Sequence, residues 1–150
     1  MLVRELMTRR LESTAPNTTL ADAARRMRDS NIGCLPVGDG NNLIGMLTEE
    51  DFTTRATAGG MNPTTTTVSE IMTKGVIYCQ DDDTVEDALD IMRTRNIHHL
   101  PVRNSSNTLV GMLSLSDLAF KGPSEYHADV ARLAFGNAST GQASATTQLL

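Results

Sequence analysis

Residues 96–102 read NIHHLPV and residues 111–117 read GMLSLSD. Almost the same sequence stands earlier in the chain, as NIGCLPV at 31–37 and GMLTEED at 45–51. The two copies align at an offset of about 65 residues, with one extra residue near Thr108 in the second copy. The chain therefore contains a tandem duplication, and a fold predicted for one copy applies to the other.

Length and charge narrow the class of protein. A chain of 150 residues can build a hydrophobic core, whereas one copy alone would bury too little apolar surface to be stable. The net charge of -5, with scattered Lys and Arg, argues against nucleic acid as a partner. No apolar run has the length of a membrane span. We therefore expect neither a nucleic-acid nor a membrane partner.

The cysteines and the N-terminus indicate a compartment. The first residues have no apolar segment followed by a small-residue cleavage site, so no secretory signal is expected. Cys34 and Cys79 align with His99 and Thr14 in the other copy, a pattern unlike a disulfide framework. We expect both to be reduced thiols in or near the core of a cytoplasmic protein.

Each copy is predicted to contain an amphipathic helix. Thr18 or Thr19 can cap the first helix, and Asp83 or Thr84 can cap the second. Apolar residues then recur at helical spacing, namely at Leu20, Ala23, Ala24 and Met27 in the first copy and at Val85, Ala88, Leu89 and Met92 in the second. These residues are expected to form the buried face of each helix.

A β-hairpin is predicted after each helix. Its first strand contains Pro36 or Pro101, which we expect at an edge or a strand end because proline donates no ladder hydrogen bond. Turn-forming residues separate it from a second strand, which ends at Thr48 or Ser114. With a short extended segment before the first helix and a helix after the hairpin, each copy reads β-α-β-β-α. The fold class is therefore α+β.

The repetition also predicts the boundaries. The first repeat is placed at 1–58 and the second at 70–122, joined by a polar linker at 59–69. Beyond them we predict a C-terminal helix at 123–135 and a flexible tail, rich in Ser, Thr, Ala and Gly, at 136–150.

The strand-to-helix corner of each copy contains a hydroxyl followed three residues later by a carboxylate. The pairs are Thr48 with Asp51 and Ser114 with Asp117. An ionised Asp accepts hydrogen bonds from a vicinal diol, and a hydroxyl beside free main-chain N–H groups suits an anion, so the corner suits a phosphorylated sugar. The same spacing is also that of a capping box, in which the hydroxyl caps the helix and the carboxylate reaches back.

The doubled pattern resembles the CBS domain, in particular the tandem pair known as a Bateman module. The resemblance covers roughly residues 1–121 and rests on the Ile-Met-Thr-like opening, the helix, the Leu-Pro-Val strand and the Thr/Ser-x-x-Asp corner. It implies two repeats related by a pseudo-two-fold axis, with their sheets packed together and helices outside. It also implies clefts between the repeats that bind adenosyl ligands (AMP, ADP, ATP, NAD(H) or S-adenosylmethionine), and assembly into a homodimer.

The resemblance also implies roles for individual residues. Asp51 and Asp117 would hold ribose hydroxyls, and Thr48 and Ser114 would contact ribose or phosphate. The second copy's SLSD is similar to the nucleotide-binding corner in the regulatory subunit of AMP-activated protein kinase, so Ser116 is also a candidate.

In that subunit a His-Arg pair before an Ile/Leu-Pro-Val strand reaches phosphate, and the matching positions here are His98 and His99. The chain departs from this pattern in two ways: it has no guanidinium at these positions, and the first copy has Gly33-Cys34 there. Both differences weaken the binding of phosphate that the resemblance implies. Two imidazoles near a phosphate would titrate close to neutral pH. Alternatively, one is a hydrogen-bonded strand residue and the other faces solvent. No metal site is expected, because the ligand spacing is absent.

The leading interpretation is a non-catalytic regulatory module that requires no cofactor, binds an adenine nucleotide as a regulatory ligand, and signals to a separate, unidentified protein target. The alternative is a structural dimerisation module with vestigial clefts. An enzyme is not expected, because the sequence shows no nucleophile with an adjacent base, no paired catalytic carboxylates and no P-loop.

Overall fold

The computed structural model describes residues 1–9, 11–39 and 42–136. Apart from Gly136, the tail predicted at 136–150 lies outside the described residues. Within this part of the chain, no helix has the length and apolar character needed to cross a membrane.

The described helices and strands follow a similar order in both repeats, except that the second repeat has two additional two-residue strands before its long helix. In chain order they are α1 (Val3–Leu6), α2 (Leu20–Ser30), β1 (Cys34–Asp39), β2 (Asn42–Thr48), α3 (Glu49–Asp51), a π-helix (Phe52–Thr57), α4 (Val68–Ile71), β3 (Thr73–Lys74), β4 (Cys79–Gln80), α5 (Val85–Arg95), β5 (His99–Arg103), β6 (Leu109–Ser114), α6 (Leu115–Lys121), a 3-10 turn (Ser124–Tyr126) and α7 (His127–Phe135). The region predicted as a C-terminal helix therefore contains the 3-10 turn and α7.

The chain forms two compact units that do not coincide with the two sequence repeats. One unit, which we call the Asp117 unit, consists of Met1–Arg9, Cys79–Ser106 and the described chain from Val110 to Gly136. The other, the Asp51 unit, is the intervening chain up to Tyr78 together with Asn107–Leu109. The opening segment of each repeat contains a Met-Thr pair, Met7-Thr8 in the first repeat and Met72-Thr73 in the second. Each opening segment therefore belongs to the compact unit that is otherwise built from the other repeat.

The Asp51 unit contains a three-stranded sheet in the order β1-β2-β3. The predicted hairpin is present, with β1 antiparallel to β2 and Cys34 opposite Thr48. The third strand comes from the opening of the second repeat, because β3 pairs antiparallel with β2 through Met46 and Thr73. Pro36 lies in β1, an edge strand of this three-stranded sheet as predicted, and a single parallel bridge joins Thr14 to Val37 on the outer side of that strand.

The Asp117 unit contains the corresponding sheet in the order β4-β5-β6. The opening of the first repeat adds an antiparallel bridge between Thr8 and Met112 of β6. The prediction that Pro101 lies at an edge or a strand end is wrong, since β5 is the central strand. Its proline is tolerated because the two-residue β4 pairs only with Val102 and Arg103, beyond Pro101.

The long helices are capped as the sequence predicts. Thr19 accepts a hydrogen bond from the backbone of α2, and Thr84 does the same for α5. Both helices end at an asparagine with a left-handed backbone, Asn31 (φ 52°) and Asn96 (φ 51°). The predicted buried face of α5 is confirmed, whereas Ala24 of α2 is exposed because the apolar stripe of that helix is narrower than expected.

The hydrophobic core of the Asp51 unit includes the opening segment of the second repeat. Its buried members come from α2, β1, β2, the π-helix and α4 with its following residue, and they are Leu20, Ala23, Met27, Leu35, Val37, Leu47, Ala56, Val68, Ile71 and Met72. The exchange of opening segments therefore builds part of the core.

Two glycines allow each opening segment to approach the sheet. A Cβ atom on Gly111 would lie 2.7 Å from Met7 Sδ and 2.9 Å from the Thr8 carbonyl oxygen. A Cβ atom on Gly45 would lie 2.7 Å from Met72 Sδ and 2.8 Å from the Thr73 carbonyl oxygen. A backbone oxygen at that distance cannot move aside without displacing the opening segment.

Gly45→Ala and Gly111→Ala are each expected to destabilise the protein by about 1–2 kcal/mol, the usual range for overpacking. Urea unfolding followed by circular dichroism measures this. Gly33→Ala is the matched control, because its Cβ would meet only the Glu49 side chain at 3.6 Å. A loss in the control equal to that of the other two variants would contradict the close-approach explanation.

Candidate functional site

The Asp51 corner is a capping box. Thr48 Oγ1 accepts a hydrogen bond from the Asp51 backbone N–H at 3.3 Å. In return, Asp51 Oδ2 accepts from the Thr48 backbone N–H at 3.0 Å and from Thr48 Oγ1 at 3.2 Å. The capping box that the spacing allows is therefore present, and the backbone N–H groups of Thr48 and Asp51 are both used within the corner. The Asp51 residue is 5% exposed, so its charge is held inside the fold.

The Asp117 corner repeats this arrangement. Asp117 Oδ2 accepts from the Ser114 backbone N–H at 2.9 Å and from Ser114 Oγ at 3.1 Å, and Ser114 Oγ accepts from the Asp117 backbone N–H at 3.2 Å. Asp117 is 6% exposed. The structure thus brings Ser114 and Asp117 together, while Ser116 between them lies exposed on α6.

The second oxygen of each carboxylate accepts a hydrogen bond from a threonine hydroxyl in an opening segment. Asp117 Oδ1 accepts from Thr8 Oγ1 at 2.8 Å, and Asp51 Oδ1 accepts from Thr73 Oγ1 at 3.2 Å. Sequence reasoning did not include either threonine among the candidates. Both belong to the repeated Met-Thr opening, and that repetition was the available signal.

A cation four residues after each aspartate completes the corner. Lys121 Nζ lies 2.8 Å from Asp117 Oδ1, and Arg55 Nε lies 3.8 Å from Asp51 Oδ1. Arg55 Nη1 also donates to the carbonyl oxygens of Ile71 (3.2 Å) and Met72 (3.1 Å). Sequence reasoning missed both cations, although the i, i+4 spacing on a helix predicts such pairs.

The two corners differ in the strand residue beside the aspartate. The equivalent positions hold Cys34 near Asp51 and His99 near Asp117. Burial lowers the pKa of His99 to about 4, helped by the neighbouring His98, while the charge of Asp117 opposes the shift. The expectation that both imidazoles titrate near neutral pH is therefore wrong for His99, which is neutral at pH 7. The sequence could not show this because the cause is burial.

The thiols are free and buried, as predicted. Burial raises the pKa of Cys34 to about 12, with a further contribution from the charge of Asp51. Burial also raises the pKa of Cys79 to about 12, together with the charge of Asp83. Both are thiols at neutral pH, and the thiolate is the form that binds metals. Across the described ranges, no group of three His, Cys, Asp or Glu side chains is placed to hold a metal ion.

Comparison with known proteins gives the same family twice along the chain. The family model of the CBS domain matches residues 3–56 and again residues 68–122. The CBS domain-containing protein YhcV of Bacillus subtilis is 37% identical over 117 residues, which are 78% of this chain and 82% of that protein.

Solved structures agree. The CBS domain pair of protein MJ0100, solved in complex with 5′-methylthioadenosine and S-adenosyl-L-methionine, is similar with a TM-score of 0.71 and 28% identity, over 79% of this chain and 97% of that one. A conserved CBS domain protein of Thermoplasma acidophilum shares the fold with a TM-score of 0.79 at 23% identity, over 91% of this chain and 77% of that one. The protein is thus a member of the CBS domain family, with two CBS repeats in one chain.

Proposed function

We propose that this protein is a non-catalytic regulatory module that binds adenosyl ligands at the Asp51 and Asp117 corners. The supporting observation is that each buried carboxylate already accepts a hydroxyl from a threonine outside its own helix. A ribose hydroxyl would make the same contact, since an ionised carboxylate accepts hydrogen bonds from hydroxyls. The MJ0100 pair, which was solved in complex with two adenosyl compounds, supports the same class of ligand for this protein.

The proposed roles follow from the geometry of each corner. Asp51 and Asp117 accept ribose hydroxyls, while Thr48 and Ser114 hold each carboxylate in place through the capping box. His99 would offer a neutral hydrogen-bonding group rather than a positive charge. We therefore propose that affinity depends more on the nucleoside than on its phosphates.

His98 remains a proposed contact to phosphate, and the exposed Ser116 remains a proposed contact to the nucleotide. AMP, ADP, ATP, NAD(H) and S-adenosylmethionine all carry the nucleoside, so each is a proposed regulatory ligand.

A regulatory role further requires a partner and two conformations. The ligand must bind one conformation more tightly than the other if it is to change the surface offered to a separate protein target. We propose a cytoplasmic location, supported by the two free buried thiols.

The alternative, a structural dimerisation module, is favoured by one observation. The side chain of Phe120 on α6 is 89% exposed, and Phe135 on α7 is also exposed. Exposed phenylalanine side chains contribute apolar area to a contact between copies of a chain. A homodimer is compatible with both functions, and ligand binding distinguishes them.

Asp51→Ala and Asp117→Ala are expected to weaken adenosyl-ligand binding, by about 1–3 kcal/mol for at least one of them, because each removes a charged hydrogen-bond acceptor. Thermal shift and titration calorimetry with AMP, ADP, ATP, NAD(H) and S-adenosylmethionine measure this. Asp82→Ala, which removes an exposed carboxylate in a turn, is the control.

Two results would contradict the proposal. If no adenosyl compound raised the melting temperature, the dimerisation module would be the better interpretation. If phosphate were released from ATP in proportion to the amount of protein, the protein would be an enzyme and the proposal of a non-catalytic module would be wrong.

A further inference from the structure

The Asp117 carboxylate has no acceptor position left. An ionised carboxylate offers about four lone-pair positions. On Oδ2, two are filled by the backbone N–H and the hydroxyl of Ser114. On Oδ1, the other two are filled by Thr8 Oγ1 and Lys121 Nζ, each at 2.8 Å. A further hydroxyl can reach this carboxylate only if one of these donors leaves.

The Asp51 carboxylate has one position unfilled by the described residues. Its Oδ2 carries the two donors of Thr48, and its Oδ1 carries Thr73 Oγ1. Arg55 Nε is 3.8 Å from Oδ1, beyond hydrogen-bond distance, and Nη1 of the same guanidinium is held by two backbone carbonyls. A hydroxyl can therefore join Oδ1 without displacing a donor.

We propose that the two corners are unequal ligand sites. Asp51 accepts a hydrogen bond from a ribose hydroxyl directly, whereas Asp117 accepts one only after its hydrogen bond from the Thr8 hydroxyl is broken. This inference rests on the proposed function. It assigns a new role to Thr8, that of an internal hydroxyl which competes with the ligand. Thr73 is its counterpart but does not block the last acceptor position.

Thr8 is the donor most easily released at the Asp117 corner. The two donors of Ser114 belong to the capping box, and their loss would uncap α6. Lys121 carries the positive charge that neutralises a buried carboxylate, and it also donates to Thr8 Oγ1 at 3.1 Å. Thr8 stays attached by its backbone, which exchanges hydrogen bonds with Met112. Ligand binding at Asp117 is thereby coupled to the opening segment Met1–Arg9.

The first test uses adenosine as the probe in titration calorimetry. Wild-type protein is expected to show two binding events that differ by about tenfold, the factor for one lost hydrogen bond. Asp51→Asn should weaken the tighter event and leave the weaker one unchanged, and Asp117→Asn should do the reverse. The reverse assignment, or two events of equal affinity, would overturn the inference.

The second test removes the competing hydroxyl. Thr8→Val is expected to tighten the event assigned to Asp117 by about tenfold. Thr8→Ser, which keeps the hydroxyl, should behave as the wild type. Thr73→Val should tighten the event at Asp51 by a smaller factor, because an acceptor position is already open there. The gain in Thr8→Val should be absent with 2′,3′-dideoxyadenosine, which lacks the diol.

The outcomes separate this inference from the proposed function. Binding by the wild type with no gain in Thr8→Val, or with weaker binding, would overturn the inference alone. Absence of adenosine binding by the wild type and all variants would overturn the proposed function and this inference with it. A melting temperature for each variant shows that it is folded, and the wild-type asymmetry tests the inference without any change at Thr8.

Discussion

Ile71→Ala is expected to destabilise the protein by about 2–5 kcal/mol, the range for truncating a large residue in a packed core. Ile71 is 0% exposed and ends α4, a helix of only four residues in the opening of the second repeat. It packs in the same cluster as Leu47 of β2. The loss combines two free energies: the hydrophobic transfer free energy of the removed carbon atoms, which folding no longer gains, and the cost of the cavity that they leave.

Urea unfolding gives the total loss, and hydrogen exchange shows where it falls. The rate of amide hydrogen exchange should increase in β1 and β2, because the opening helix of the second repeat packs in the core of the Asp51 unit. Ile44→Ala is the control, since Ile44 lies in β2 but is 42% exposed, and its loss should stay below about 1 kcal/mol. Equal losses in the two variants would mean that α4 is not part of this core.

The exchange of opening segments is the part of the fold that the sequence did not predict. Duplication, periodicity and caps are local signals, and they predicted the hairpins, the helices and the residues that cap them. A four-residue opening such as α1 or α4 has no periodicity that would indicate which repeat it packs against. The repeat boundaries at 1–58 and 70–122 describe the duplication, whereas the compact units are decided by long-range packing.

The same reason limits the prediction of the candidate site. Thr48 with Asp51, and Ser114 with Asp117, are close in sequence, so their pairing was predictable from spacing alone. Thr8 is 109 residues from Asp117, and its contact exists only because the opening segment reaches the second repeat's corner. The low pKa of His99 likewise depends on burial, which a strand pattern does not quantify.

Differences between two copies of one motif are informative because their backbones correspond. The unit with Asp51 has a thiol at Cys34 and a guanidinium whose Nε is 3.8 Å from the carboxylate. The unit with Asp117 has an imidazole at His99, and its ammonium lies 2.8 Å from the carboxylate. Both corners keep the capping box, which caps α3 and α6. The side chains around Oδ1 vary, and we expect ligand preference to depend on them.

Lowering the pH from 7 to 4 is expected to remove about 3 kcal/mol of stability through His99 alone. The folded-state pKa of His99 is about 4, below the ordinary value of 6.5 that the unfolded chain shows. Between these two values the unfolded chain binds a proton that the folded protein does not. This stability is therefore present above pH 6.5 and is lost as the pH falls through 4, with most of the loss already reached at pH 4.

His99→Gln isolates this effect, because glutamine keeps a polar side chain but does not titrate. Urea unfolding of wild type and variant at several pH values between 7 and 4 gives two curves, and carboxylates contribute equally to both. Wild type should fall more steeply than His99→Gln by about 3 kcal/mol over this range. Parallel curves would show that His99 is protonated as readily in the folded protein as in the unfolded chain, and that the imidazole beside Asp117 is open to water. In that case His99 would become charged near pH 6.5 and be available to phosphate, and the proposed preference for the nucleoside over its phosphates would lose its support.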